Sequence, residues 1–370
     1  MKKRPNLSFL DKLIRIFSLA LGISLLLGFV AGKFDPREYK YIPFFGLAYP
    51  FLLVLNTLML VWWCFRKRWK FALGTLVLIL IGWRALNATF GVFGNEGAGP
   101  KEDAKHVRIM TYNVHSFKPY GQDNVESVKQ QMLDVIGDEN PDIICFQEYF
   151  TRRKGPFDIT DSLKRILKTP YYYFVPSSEN SYEATGLAIF SKYPIKNKGQ
   201  IVFKYGWGNG SIFADVLAGN KLIRIYNVHL QSISFQEQDY MYIDQVKHKM
   251  EPKLYASKRI LKMLKNAFWK RSGQVDVMKA HMDSCEIPFV VAGDFNDTPA
   301  SYAVNQMTKS LKSTFKEQGT GFGKTYNGKF PNFQIDYIAA SKQFDVVNHR
   351  IIEAKLSDHF PVRSDLILNP

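Results

Sequence analysis

The stretch Ile287–Pro299, IPFVVAGDFNDTP, decides how this chain folds. Pro288 to Ala292 has the length and β-branched content of a buried strand, and Gly293 supplies the turn by which the chain leaves it. Asp294 and Asn296 are two positions apart. In a continuing strand both point to one side, while Phe295 points back into the core. A single Asp-x-Asn at a strand end is an ordinary Asx turn, but other runs in the chain finish the same way.

Asn113 ends RIMTYNV, Glu148 ends DIICFQE, Asn227 and His229 end IRIYNVHL, Asp336 lies in FQIDYIAA, and Asp358 and His359 lie in LSDHFPV. Charged groups are seldom buried unless paired or on a metal, so convergence on one sheet edge is the economical reading. Carboxylate and amide oxygens without cysteine sulfur suit a hard cation, Mg2+ or Mn2+, which binds phosphate oxygen directly and keeps some waters. Histidine takes or holds a proton near neutral pH, and an adjacent carboxylate fixes its tautomer. Such a set suits the attack of water on phosphorus.

Charge and hydropathy divide the chain. Residues 1–100 hold 13 Lys+Arg against 4 Asp+Glu, so most of the net charge of +16 belongs to the flanks of apolar segments. Lys2, Lys3, Arg4, Lys12 and Arg15 precede the uncharged run Ile16 to Gly32; Tyr41 to Phe65 is also uncharged; Phe71 to Phe93 is interrupted only by Arg84. The expectation is a membrane region over 1–93 with three transmembrane helices, about 13–32, 43–65 and 70–90, in a multi-pass protein of the inner or plasma membrane. Three crossings with the basic clusters inside place everything after Phe93 outside the cytoplasm; two crossings would place it inside. Residues 94–106 are Gly-rich and polar and read as a linker. The three cysteines form neither a disulfide framework nor a metal cluster.

From Val107 onward strand-like and helix-like runs alternate with both hairpin and crossover spacing. This argues for an α+β or mixed α/β domain over 107–370. Pro252 to Met282 reads as a basic helix over a core stripe. GTGFGKT at 319–325 is too short between its glycines for a phosphate-binding P-loop and no helix follows, so it reads as a turn feeding the Asp336 strand.

Taken in order, TYNV, FQE, GLAIFSKYPI, YNVHL, GDFNDTP, IDYI and SDHFPV resemble the endonuclease/exonuclease/phosphatase superfamily over roughly Val107 to Leu368. That superfamily includes deoxyribonuclease I-like nucleases, inositol polyphosphate 5-phosphatases and neutral sphingomyelinases. The resemblance implies a four-layer α/β/β/α sandwich of two mixed sheets, here preceded by a helical transmembrane region, with a divalent-metal site at one sheet edge. It implies Glu148 as principal metal ligand with Asn113 and Asp358 assisting. Asp294 would orient or deprotonate the attacking water, Asn296 would hold a phosphate oxygen, and His359 paired with Asp336 would be the catalytic histidine. His229 would donate to the phosphoryl oxygens, and Asn227 is a further substrate-binding position. Two departures stand out: Gln334 where such proteins often have Arg, and a long interval between His229 and Asp294. Ser232 to Cys285 is then an insertion shaping the substrate side, with Arg271 near the phosphate or at the surface, and His115 a further candidate for the cleft. The expected molecule is a monomeric, membrane-embedded, Mg2+-dependent phosphodiesterase or phosphomonoesterase acting on nucleic acid or a phospholipid head group. A non-catalytic module holding a phosphorylated ligand is the rival.

Overall fold

The computed structural model describes residues 8–118, 125–204, 208–249 and 253–369; Lys2, Lys3, Arg4 and Pro252 lie outside them. Two mixed sheets pack face to face. One runs, in spatial order, Phe344–Val346, Val362–Leu368, Val107–Asn113, Ile143–Arg152, Glu183–Ser191 and Tyr171–Glu179, with Arg350–Ile351 also on Val362–Leu368. The other runs Lys312–Ser313, Asp336–Ala340, Phe289–Asp294, Lys221–His229, Gly210–Ala218 and Ile195–Ile201.

Strand parity sorts the apolar side chains into layers. Ile109, Cys145, Ile189, Ile225, Ala292 and Ile338 meet between the sheets. On the outer face of the first sheet, Tyr112, Ile144 and Phe190 pack on Met132 and Ile136 of helix Val125–Glu139 and on Leu163 of helix Ile159–Leu167. On the outer face of the second, Val228, Val291 and Tyr337 pack on Val275 and Met278 of helix Leu254–Asp283 and on Val304 of helix Tyr302–Thr308. The expected four-layer arrangement is therefore present.

Each sheet holds one parallel pair, Val107–Asn113 with Ile143–Arg152 and Lys221–His229 with Phe289–Asp294. Parallel neighbours need a crossover, and a helix supplies it in both cases. Gly293 has φ +148, and a Cβ there would sit 2.0 Å from the Val228 carbonyl oxygen of the adjacent strand. Only glycine fits.

The N-terminal region differs from the three-span expectation. Of the described helices, Phe9–Lys33 alone is long and apolar enough to cross a bilayer. Tyr49–Phe65 is a shorter apolar helix, and Trp69–Ile81 is bent by 68° from Trp83–Thr89 just where Gly82 and Arg84 interrupt the apolar run. Multi-pass insertion is thus not carried by helix length. These helices form a bundle whose far end is pinned by Arg66 on Asp11 at 3.0 Å. At its near end Gly32 and Gly46 meet Asn305 and Ala300 of the sandwich. The segment after Phe93 is laid along the sandwich rather than hanging free: Asn95 N–H donates to the Gln318 carbonyl, and Arg363 donates to the Gly97 carbonyl at 2.7 Å.

Candidate active site

Three neighbouring strands of the second sheet deliver their last or first inward side chain to one row. Asp294 is the register partner of both His229 and Asp336. All three are buried. His229 Nε2 lies 3.6 Å from Asp294 Oδ2. From the loop before Val362–Leu368, His359 points its Nδ1 at both oxygens of Asp336, 3.1 and 3.0 Å away, and its Nε2 towards Asp294 Oδ2 at 3.8 Å. A carboxylate can only accept, so Nδ1 carries the hydrogen and the ring's orientation is fixed.

The His359 loop is clamped. Phe360 N–H donates to the Thr325 carbonyl and Asn327 N–H to the Asp358 carbonyl. Thr325 Oγ1 in turn accepts from the backbone of Ile335 and Asp336, and the Tyr326 ring stands edge-on to His359 at 5.4 Å. The GTGFGKT segment thus ends in a bracket for the Asp336–His359 pair, a role that the motif itself does not advertise.

Across the cleft the first sheet contributes Asn113, whose Nδ2 donates to Asp294 Oδ2 at 3.1 Å. Glu148 arrives differently. Its strand breaks register between Phe146 and Tyr149, and Glu148 has φ +50. By parity it would follow Ile144 and Phe146 towards the outer helices; the left-handed residue turns it to the rim instead. His115 and the next two residues also have positive φ, and its ring lies between Glu148 and Asp358, at 3.5 and 3.7 Å.

Asn296 closes the far side, its N–H on Asp294 Oδ1 at 2.8 Å and its Nδ2 on Asp294 Oδ2 and the Leu230 carbonyl. Arg271 is neither a surface residue nor a free phosphate clamp. It is buried, pairs with Asp297 at 3.1 Å and donates to the Asn296 and Gln231 carbonyls, so it braces the turn that carries Asn296.

One expected substrate contact is redirected. Asn227 faces the inter-sheet core, its Nδ2 on the carbonyls of Phe146 and Ala188 and its Oδ1 accepting from Gln147 Nε2 at 2.6 Å. With the amide fully used, Asn227 ties one sheet to the other. Asn113, Glu148, His229, Asp294, Asn296, Asp358 and His359 line one cavity of about 230 Å³, with His115 and Arg271 also in its wall. Asp336 stands behind His359.

Burial pushes the Asp294 carboxyl up to about 6 despite the pull of His359 and His229. Burial also works against a charged His359, yet Asp336 and Asp294 hold its pKa well above the ordinary imidazole value. Glu148 is likewise opposed by burial but held below the usual carboxylate range by His115, His229 and His359. The arrangement offers a proton acceptor near neutrality beside a cationic imidazole.

Two groups of oxygen donors could hold a cation. Glu148 and Asp358 both approach His115 Nδ1 and line the cavity together with Asn113. Asp294, Asp336 and His359 also lie within 4.8 Å of one another. The second group is the tighter one, and in it Asp336 is already hydrogen-bonded to His359.

Residues 110–256 and 279–359 match the Endonuclease/Exonuclease/phosphatase family, and residues 11–89 match a domain family of unknown function, DUF8431. Phospholipase C of Staphylococcus aureus is 29% identical over 160 residues, which is 36% of this chain and 46% of that protein. The chain thus spans about half the length of the curated relatives it matches. An endonuclease/exonuclease/phosphatase from Beutenbergia cavernae DSM 12333 superposes with a TM-score of 0.52 at 18% identity, covering 71% of this chain and 72% of that one. A family protein from Bacteroides thetaiotaomicron gives 0.51 at 17% identity, covering 72% and 98%. With the family's sequence pattern running over most of the sandwich and the same fold in solved structures, the chain belongs to the Endonuclease/Exonuclease/phosphatase family.

Proposed function

We propose that the chain is a membrane-anchored phosphoesterase that uses a divalent cation, Mg2+ or Mn2+, to hydrolyse a phosphate ester by direct attack of water. The observation that supports this most is the convergence of His229, Asp294, Asp336 and His359 with Asn113 at one rim. Asp294 is the base: its ionised carboxylate takes a proton from water as the water oxygen bonds to phosphorus. His359, kept protonated and aimed by Asp336, gives a proton to the departing alcohol oxygen as the phosphorus–oxygen ester bond breaks. His229 donates to the phosphoryl oxygens, where charge grows, and Asn296 holds the Asp294 carboxylate in place through its N–H and Nδ2.

Glu148, Asp358 and the Asn113 Oδ1 would hold the cation. When bound, it neutralises charge on the phosphate oxygens. The helix Phe9–Lys33 would anchor the chain in a membrane. The likeness to a Phospholipase C adds phospholipids to nucleic acids as candidate esters.

The test is turnover of methyl 4-nitrophenyl phosphate by the purified full chain. Activity that EDTA removes and Mg2+ or Mn2+ restores is expected. EDTA-resistant hydrolysis, or none with either ion, would sink the proposal.

A further inference from the structure

The cavity that holds the polar rim has a second wall which phosphate chemistry does not need. Phe268 comes from the long crossover helix, Phe235 from the segment before it, Phe330 and Phe333 from the loop before Asp336, and Leu47 from the N-terminal helix Ile42–Leu47. The rings are continuous: Phe235 meets Phe330 at 5.3 Å and Phe330 meets Phe333 at 6.1 Å. The wall then runs into the N-terminal bundle, where Phe333 meets Phe51 at 5.9 Å and Phe268 meets Phe44 at 5.4 Å. That bundle exposes large apolar side chains such as Phe9, Ile16, Phe51 and Leu73. A cavity that is anionic and imidazole-lined on one side and aromatic on the other is shaped for an amphipathic ester.

Aromatic walls also stack bases, but a nucleic acid strand needs a basic track for its successive phosphates. Among the described residues lining the cavity there is no lysine, and its arginine, Arg271, is 1% exposed and committed to Asp297. The apolar wall is joined to helices that carry a membrane-length apolar segment.

We propose that the cleft takes a phosphate ester of a hydrophobic alcohol, a membrane lipid, with its phosphate among Glu148, His229 and His359 and its first hydrocarbon carbons against Leu47, Phe268 and Phe333. This rests on the phosphoesterase reading and names its substrate class. The N-terminal bundle is then part of the binding site as well as an anchor. A cavity of about 230 Å³ holds a phosphate and only a few carbons, so selectivity for chain length rises and then levels.

The experiment compares kcat/KM for methyl, butyl and octyl 4-nitrophenyl phosphates, below their micelle concentrations, with the full chain in nanodiscs and Mg2+ or Mn2+ present. The expected rise is about two- to fourfold per carbon over the first carbons, flattened at least tenfold in total by Leu47→Gln. A second measurement uses the unaltered chain: an octyl phosphate ester carrying a diazirine at the chain end is expected to label the Ile42–Leu47 helix or the Phe330–Phe333 loop. Turnover of the methyl ester with no rise towards octyl overturns the lipid assignment while leaving the phosphoesterase intact. So does faster cleavage of a DNA or RNA oligonucleotide. An undiminished rise in Leu47→Gln together with labelling elsewhere overturns the placement. Failure to cleave any ester sinks both readings.

Discussion

Two strand–helix–strand units face each other across the molecule, and they bring their polar residues to the cleft by different means. In the second unit, His229 and Asp294 end two parallel strands at matched register, and Asp336 falls opposite Asp294 on the next strand. Register runs unbroken here, through a Gly293 whose φ of +148 only glycine tolerates. In the first unit, Asn113 ends its strand in the same way, but Glu148 reaches the rim only through a bulge and a left-handed residue. The crossovers differ too, about thirty residues between the first pair of strands and about sixty between the second. The extra length goes into the apolar wall, not into the proton chemistry. On the proposed reading, proton handling rests on regular pairing and cation holding on a kink.

This contrast can be broken at either side. The largest effect is expected on the regular side, where Asp294→Ala or His359→Ala should lower kcat by about a thousandfold in a chain that still folds. Full turnover in either purified variant would remove that side from catalysis. On the kinked side, Glu148→Gln should weaken the apparent Mg2+ affinity by about 10- to 100-fold, with activity recovering as Mg2+ is raised. A magnesium titration identical to the native one would move the cation elsewhere.

Between the two sheets, Asn227→Ala should cost about 1–3 kcal/mol of stability, because it strands the Phe146 and Ala188 carbonyls, while KM stays the same. A raised KM at native stability would return Asn227 to the substrate. The smallest effect concerns a second tie between the sheets, His349, whose Nδ1 meets Thr314 Oγ1 at 2.8 Å. Burial pushes this imidazole down to about 3, helped by Arg363. The unfolded chain binds a proton on the ring near pH 6.5, and the folded chain does so only near pH 3. Its contribution is therefore complete above about pH 6.5 and is lost as the pH falls, by about 1 kcal/mol between pH 6.5 and 5.5. Thermal melts of native protein and His349→Gln at those two values check it; equal losses would clear His349.

The regular side was legible in the sequence because strand parity and the abrupt polar ends of apolar runs encode it directly. Asp294 inward and Phe295 in the core follow from period two alone. Glu148 could be named from its motif, but no period announces a bulge, so its path to the rim was not readable. Asn227 was misplaced for a related reason. It shares a face with His229, yet that face points between the sheets, and only the last residue clears the core. Arg271 and Asp297 find each other across about twenty-five residues, which local pattern does not reveal. In the N-terminal region composition gave apolar runs faithfully, but it could not show where Gly82 and Arg84 would bend one of them.

Gly46 lies against the Ala300 carbonyl and Ala31, so closely that a methyl group there would stand 3.1 and 3.0 Å from them. Backbones that meet at this distance are not joined by a hinge. Cutting the chain at residue 106 to obtain a soluble fragment would therefore do more than remove a handle. It would unroof one end of the cleft, bare Phe268 and Phe333 to water, and yield a catalyst whose selectivity and tendency to aggregate are its own and not those of the intact protein.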